Sequence, residues 1–77
     1  MRPTIFSIVA SWDEEAAVWV GHCDEVPAAA DAPTLDGLFE KIQAITMDLL
    51  PDNHPGLDPE SVFLQLTALK SAVPEAA

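Results

Sequence analysis

Hydrophobic side chains alternate with polar or small ones in the first part of the chain, a pattern typical of β-strands. Residues 4–12 contain no strand breaker and divide into two faces at a period of two. Residues 16–23 repeat this character after the short polar run 13–15. Two strands joined by so few polar residues predict a β-hairpin.

The middle of the chain changes to the three- and four-residue spacing of an amphipathic helix. Thr34 is the expected N-cap, and Asp36 places a negative charge in the first turn. Pro51 is expected to stop the helix, so the prediction covers residues 35–50. The apolar stripe consists of Leu35, Leu38, Phe39, Ile42, Ile45 and Leu49.

Two shorter segments complete the predicted elements. Residues 29–32 predict a third strand, because Pro27 and Pro33 bracket this region too closely for a helix. Residues 61–69 alternate again and predict a last strand after the turn-rich connector 51–59. The predicted order is therefore β-β-β-α-β.

This order predicts one α+β domain over residues 1–70, with a flexible tail at residues 71–77. One helix should pack on a mostly antiparallel sheet, with the last strand parallel to the first after a right-handed crossover. Both faces of the first strand carry apolar residues, so the pattern leaves open which face the helix covers. The uncovered face carries either Ile5, Val9 and Trp19 or the alternate set, and is expected to be exposed or covered by a partner.

The chain has 77 residues, which is enough for one domain with a thin stability margin. Chains of this size often gain stability by associating, so we expect a homodimer or a higher homo-oligomer. No window approaches the roughly 20 apolar residues of a membrane span. The N-terminus also lacks the apolar centre of a signal peptide, and we expect a cytoplasmic location.

Acidic residues dominate the charge. The chain has 13 of them and only three basic residues, Arg2, Lys41 and Lys70, which gives a net charge of −10. Three scattered basic residues are too few to neutralise phosphates, which argues against direct binding of nucleic acid or of an anionic membrane surface. An acidic surface favours a basic protein partner. The alternative is that the acid only keeps a small apolar protein soluble.

Few residues are suited to catalysis or metal binding. His22 and Cys23 are adjacent on a strand and therefore point to opposite faces, so no metal site is expected. Cys23 and His54 form the one imaginable nucleophilic pair, but no orienting third group or oxyanion turn accompanies them. The first and the last predicted strand lack the carboxylates that a metal-dependent nuclease of the RNase H-like fold needs, and Glu40 alone cannot hold two Mg²⁺ ions. We therefore expect a protein without catalytic activity, metal or cofactor.

One stretch has a recognisable order of residues. Residues 12–27 read WDEEAAVWVGHCDEVP, and residues 30–42 read ADAPTLDGLFEKI. This resembles the HicB-like superfamily, in particular its short branch of uncharacterised stand-alone domains. The resemblance implies a partial RNase H-like fold. The matching positions are Asp13, Trp19, Val20, Asp24, Val26, Pro27, Thr34, Leu35, Leu38, Lys41 and Ile42.

The resemblance also implies a function. In full-length HicB antitoxins this domain masks HicA, a small basic toxin that cleaves RNA, while a separate segment binds DNA. This chain departs from that arrangement, since the residues after Leu69 are too few for a DNA-binding module. Direct transcriptional repression is therefore not expected.

Three hypotheses follow. The first is an antitoxin-like module that covers a basic RNA-active protein. The second is an accessory domain without a toxin partner, whose copies associate with each other through a sheet edge or the uncovered face. The third and least favoured is a minimal hydrolase using Cys23 and His54. The alternative to a binding role for Trp19 is that it belongs to the core. The alternative for the acidic residues is that they only lie in solvated loops. The predicted contacts are Asp13, Glu14, Glu15, Asp24 and Glu25, with Trp19 as an aromatic anchor.

Overall fold

The computed structural model describes residues 2–73 and contains the predicted elements in the predicted order. The α+β class and the order β-β-β-α-β are therefore confirmed. Residues 71–73 of the predicted tail follow the last strand outside any helix or strand, and residues 74–77 lie outside the described residues. The elements are β1 (Thr4–Asp13), β2 (Val18–Cys23), β3 (Ala28–Ala32), α1 (Leu35–Asn53), a 3₁₀ helix (Pro59–Ser61) and β4 (Val62–Leu69).

The strands form one sheet in the order β3-β2-β1-β4. β1 pairs antiparallel with β2, and β2 pairs antiparallel with β3. β1 pairs parallel with β4, from Thr4 opposite Val62 to Ser11 opposite Leu69. Parallel neighbours need a long crossover connection, which α1 supplies. The predicted parallel pairing of the first and last strands is confirmed.

The core lies between α1 and one face of the sheet. From β1 this face carries Phe6, Ile8 and Ala10, all of them buried. α1 contributes the fully buried Leu38 and Ile42. The helix lies over β3 and β2 rather than over β4. The core is therefore centred on one half of the sheet.

A row of small residues lets α1 approach the sheet closely. Ala30, Gly21, Ala10 and Ala68 lie opposite one another across the four strands. A Cβ atom on Gly21 would stand 2.9 Å from Cδ2 of Leu38, so the helix packs directly onto this glycine. Small side chains at Ala30, Gly21 and Ala10 therefore decide which face the helix covers, whereas Ala68 lies on β4, beyond the helix, and is exposed.

α1 begins as predicted and ends later than predicted. Thr34 is the N-cap, and its hydroxyl accepts from the backbone N–H of Gly37 at 3.0 Å. The predicted end at residue 50 is wrong, because Pro51 lies inside the last turn, where it removes only one hydrogen bond. The Asn53 side chain donates to the carbonyl of Leu49 at 3.0 Å and so supports the extra turn.

Within residues 2–73, no helix is both long and apolar enough to cross a membrane.

The β1–β2 connection is longer than predicted. β2 begins at Val18 and not at residue 16. Oδ1 of Asp13 accepts from the backbone N–H groups of Glu15 at 3.1 Å and Ala16 at 3.3 Å. Ala17 then takes a left-handed conformation with φ 55°. These contacts close a turn over residues 14–17 and fix the register of the hairpin.

Candidate functional site

The sheet face opposite α1, called the open face below, is uncovered and carries both apolar and polar side chains. It consists of the β1 residues that alternate with the buried Phe6, Ile8 and Ala10, together with their neighbours on the other strands. Five large apolar side chains on it are 38–61% exposed: Ile5, Val9, Val20, Phe63 and Leu69. Ile5 and Phe63 are paired neighbours, whereas Ser7, Ser11 and Thr67 separate the other three. Five large apolar side chains exposed on one sheet face make it a candidate interaction surface.

The five predicted acidic residues lie at the two ends of this sheet. Asp13, Glu14 and Glu15 belong to the β1–β2 turn, and Asp24 and Glu25 belong to the β2–β3 turn. About five strand residues separate the two turns along the hairpin, a distance of about 17 Å. The structure therefore places two acidic groups at opposite ends of the open face, rather than one acidic patch.

Two of these carboxylates are engaged in local hydrogen bonds. Asp13 closes the β1–β2 turn, as described above. Oε1 of Glu25 accepts from the backbone N–H of Ser7 at 3.2 Å and from Sγ of Cys23 at 3.4 Å. Glu25 thus ties the β2–β3 turn to β1. The carboxylates of Asp13 and Glu25 therefore already have hydrogen-bond donors within the domain and are less available to a partner.

The remaining predicted acids are more available to a partner. Glu14 and Glu15 are exposed in the turn. The Asp24 side chain is 87% exposed, and its Oδ1 lies 3.6 Å from Nε2 of His22. A contact this exposed contributes little stability. Asp24 is therefore the predicted contact residue that a substitution can test with the least disturbance of the fold.

Trp19 lies on the helix side of the sheet. It pairs with Trp12, the ring centroids being 5.3 Å apart in an edge-to-face arrangement, and it packs against the core. Grouping Trp19 with Ile5 and Val9 was wrong, because the hairpin register places Val20 on their face instead. A role of Trp19 as an aromatic anchor stays a prediction, with only its half-exposed edge available to a partner.

β4 contributes exposed apolar side chains to the open face that sequence reasoning missed. None of its side chains is fully buried, because α1 does not lie over this strand. Phe63 is 58% exposed and Leu69 is 61% exposed on the open face. The alternation of residues predicted which side chains share a face. The small residues around Gly21 were the signal in the sequence that indicates which face α1 covers and which face stays open.

A depression of about 590 Å³ lies beside the start of β1. Its walls come from residues 4–6, from Glu25 and from the connector 53–57. Nε2 of His54 donates to the carbonyl of Glu25 at 2.7 Å, and its ring lies 5.2 Å from that of Phe6. Since the carbonyl only accepts, Nε2 carries the ring proton. His54 therefore fastens the connector to the β2–β3 turn.

Cys23 is poorly placed to act as a nucleophile. Its side chain is buried, and burial raises the pKa of the thiol above its ordinary value of 9.0. The thiolate is the reactive form, so a raised pKa keeps Cys23 unreactive at neutral pH. Among residues 2–73, no group of three His, Cys, Asp or Glu side chains lies close enough to hold a metal ion.

Comparison with known proteins places the chain in a family. A family model described as "Domain of unknown function (DUF1902)" matches residues 5–76. The chain belongs to this family. The DUF1902 chain is also similar to the crystal structure of a hypothetical protein from the extremely thermophilic bacterium Thermus thermophilus, with 37% identity and a TM-score of 0.75. The alignment covers 91% of this chain and 99% of that one. A search of curated proteins found no match.

Proposed function

We propose that this DUF1902 domain is a non-catalytic acidic protein-binding module whose open face contacts a basic protein. The observation that carries the proposal is the position of the open face between two acidic turns. Apolar area in the centre of an interface supplies affinity, and charged groups at its rim supply steering and specificity. The exposed apolar side chains of the open face and the carboxylates at its two ends support a role of this kind.

The charge of the domain supports a basic partner. A net charge of −10 attracts a cationic protein over a distance of several ångströms and accelerates encounter at low salt. The same charge opposes approach of nucleic acid and of anionic lipid, which are themselves negative. A basic protein is therefore the partner class that the electrostatics favour.

The HicB resemblance names a candidate within that class. Residues 12–27 and 30–42, which carry the resemblance, include both acidic turns and the start of α1. By that analogy the partner is a small basic RNA-cleaving toxin similar to HicA. A cytoplasmic location belongs to the same proposal, because the single Cys23 is a free buried thiol and needs no oxidising compartment.

A second candidate function is self-association without a toxin partner. The observation that favours it is the uncharged outer edge of β4, which is open to another strand. The two functions overlap at Phe63 and Leu69, but self-association leaves Val20 and both acidic turns free, so one domain can have both.

Co-purification with matched variants tests the proposed function. Val20 is 44% exposed on the open face and lies opposite Asp31, so a lysine there gains a cross-strand partner and leaves the fold intact. Met47, which is 40% exposed on α1, gives the matched control. We expect tagged wild type and Met47→Lys to retain a small basic protein that elutes with salt, and Val20→Lys to lose it. Equal recovery by all three chains, or recovery of no basic protein, would contradict the proposal.

A further inference from the structure

The outer edge of β4 has the properties of a strand that pairs with another chain. β4 ends the sheet, and within residues 2–73 no strand pairs with its outer side. It is eight residues long and contains no charged residue and no proline. Long uncharged edges expose a row of backbone N–H and C=O groups that pair readily with a second strand.

The opposite edge of the sheet is protected. β3 is five residues long and carries the charged Asp31. Nζ of Lys41 on α1 donates to the carbonyl of Asp31 at 2.7 Å and occupies one backbone acceptor of this strand. A short, charged strand with a bound lysine resists further pairing. The contrast singles out β4 as the edge available for assembly.

The flanks of β4 also lack cover. On the helix side, Leu64 and Leu66 are only half-buried and Ala68 is exposed. On the open face, Phe63 and Leu69 are among the most exposed large side chains of the domain. A strand added at this edge would cover apolar side chains on both faces at once, in addition to forming backbone hydrogen bonds.

We propose that two copies of this chain join antiparallel through their β4 strands, with Leu66 opposite Leu66 of the second copy. A two-fold axis through this point keeps the open faces of both copies on the same side of one eight-stranded sheet. In this register Phe63 lies opposite Leu69 of the second copy, and Gln65 lies opposite Thr67. Between Phe63 and Leu69, apolar side chains then meet apolar ones and polar side chains meet polar ones.

Charges at the ends of β4 complement each other in the same register. Lys70 follows β4 and Glu60 precedes it. In the antiparallel pair, Lys70 of one copy lies opposite Val62 of the other, and Glu60 of the other copy lies in the 3₁₀ helix just before Val62. In the single chain, Nζ of Lys70 lies 4.8 Å from the ring centre of Trp12, so it would have to turn outward to reach this carboxylate. The register therefore places charges of opposite sign near each end of the interface.

The dimer rests on the second candidate function, self-association, and is independent of binding to a basic protein, since it leaves both acidic turns and the β2 part of the open face free. The two interactions also differ in their response to salt. Two chains of net charge −10 repel each other, so salt should strengthen the dimer by screening. A complex with a basic protein should weaken with salt. The sign of the salt effect therefore separates the two interactions.

Sedimentation equilibrium with charge variants at two exposed β4 positions tests the proposal. Wild type should sediment as a dimer of the 8.2 kDa chain. Gln65→Glu with Thr67→Glu places like charges directly opposite each other twice, and we expect the dissociation constant to rise roughly tenfold or more. Gln65→Lys with Thr67→Glu places opposite charges there, and the dimer should persist. A monomeric wild type at about 1 mM, or equal dissociation constants for both variants, would overturn the proposal.

Disulfide crosslinking tests the register. Residues directly opposite each other lie within the Cα separation that a disulfide bridges, and diagonal ones lie beyond it. An equal mixture of Gln65→Cys and Thr67→Cys chains should therefore give a crosslinked heterodimer under oxidation. Neither variant alone should crosslink. Wild type serves as the negative control, because its single cysteine, Cys23, is buried. Crosslinking of either variant alone, or no crosslinking of the mixture, would overturn the register.

Discussion

Thr46 offers a sharp test of the core, because its hydroxyl is buried without a hydrogen-bond partner. The residue is fully buried on α1, and within residues 2–73 no group hydrogen bonds to its Oγ1. A buried hydroxyl left unpaired costs about 1–3 kcal/mol. Valine has nearly the same shape and carries a methyl group in place of the hydroxyl. We therefore expect Thr46→Val to raise the free energy of unfolding by about 1–2 kcal/mol.

Urea and thermal unfolding measure this effect. A gain of about 1 kcal/mol raises the Tm of a domain of this size by about 4–8 °C. The slope of the urea transition should stay unchanged, since the area exposed on unfolding is the same. Thr46→Ser is the matched control. It keeps the unpaired hydroxyl and removes a buried methyl group, so it should lower the stability by about 1 kcal/mol.

A loss of stability in Thr46→Val, with an unchanged urea slope, would refute this reasoning. It would mean that the hydroxyl donates to a carbonyl one turn earlier on α1, the contact that threonine often makes inside helices. The ranking Val above Thr above Ser is the result that the structure predicts.

Three further predictions concern the turns and the buried thiol. Ala17→Gly should raise the free energy of unfolding by about 0.5–1 kcal/mol, because glycine adopts the left-handed φ of 55° without strain; urea unfolding checks this. Asp24→Lys should weaken binding of a basic partner at unchanged Tm, whereas Glu25→Lys should also lower the Tm, because Glu25 holds the β2–β3 turn to β1; equal Tm values for the two variants would contradict this. The raised pKa of the Cys23 thiol means that the folded state holds its proton more tightly than the unfolded state. The stability linked to this proton is present below pH 9.0 and falls as the pH rises above it, so Cys23→Ala should show a flatter decline in urea midpoint above that pH.

The elements could be predicted because each leaves a local signal. A period of two or of 3.6 and the N-cap at Thr34 depend on neighbouring residues only. The end of α1 was missed for a different reason. The helix continues past Pro51, and the Asn53 side chain and the backbone N–H of His54 bond the carbonyls of Leu49 and Leu50 in its last turn. These bonds involve residues beyond the predicted end of the helix.

The site was harder to predict than the elements. Composition identified the acidic residues, but their separation into two groups depends on the sheet. The pairing of Trp19 with Trp12, and hence the position of Val20 on the open face, follows from a turn that uses a left-handed Ala17. Alanine rarely adopts this conformation, so propensity does not predict it. The exposure of Phe63 depends on where α1 lies, which is a tertiary property.

The central claim is that this DUF1902 domain binds a basic protein through its open face. Site-specific photocrosslinking in native cells tests it most directly, with a photoreactive side chain placed at Val20 or, as control, at Met47. The two positions have similar exposure, 44% and 40%, on opposite sides of the molecule. We expect a photoreactive side chain at Val20 to give a crosslink to a small basic protein, and one at Met47 to give none. The same products from both positions, or no basic protein from Val20, would contradict it.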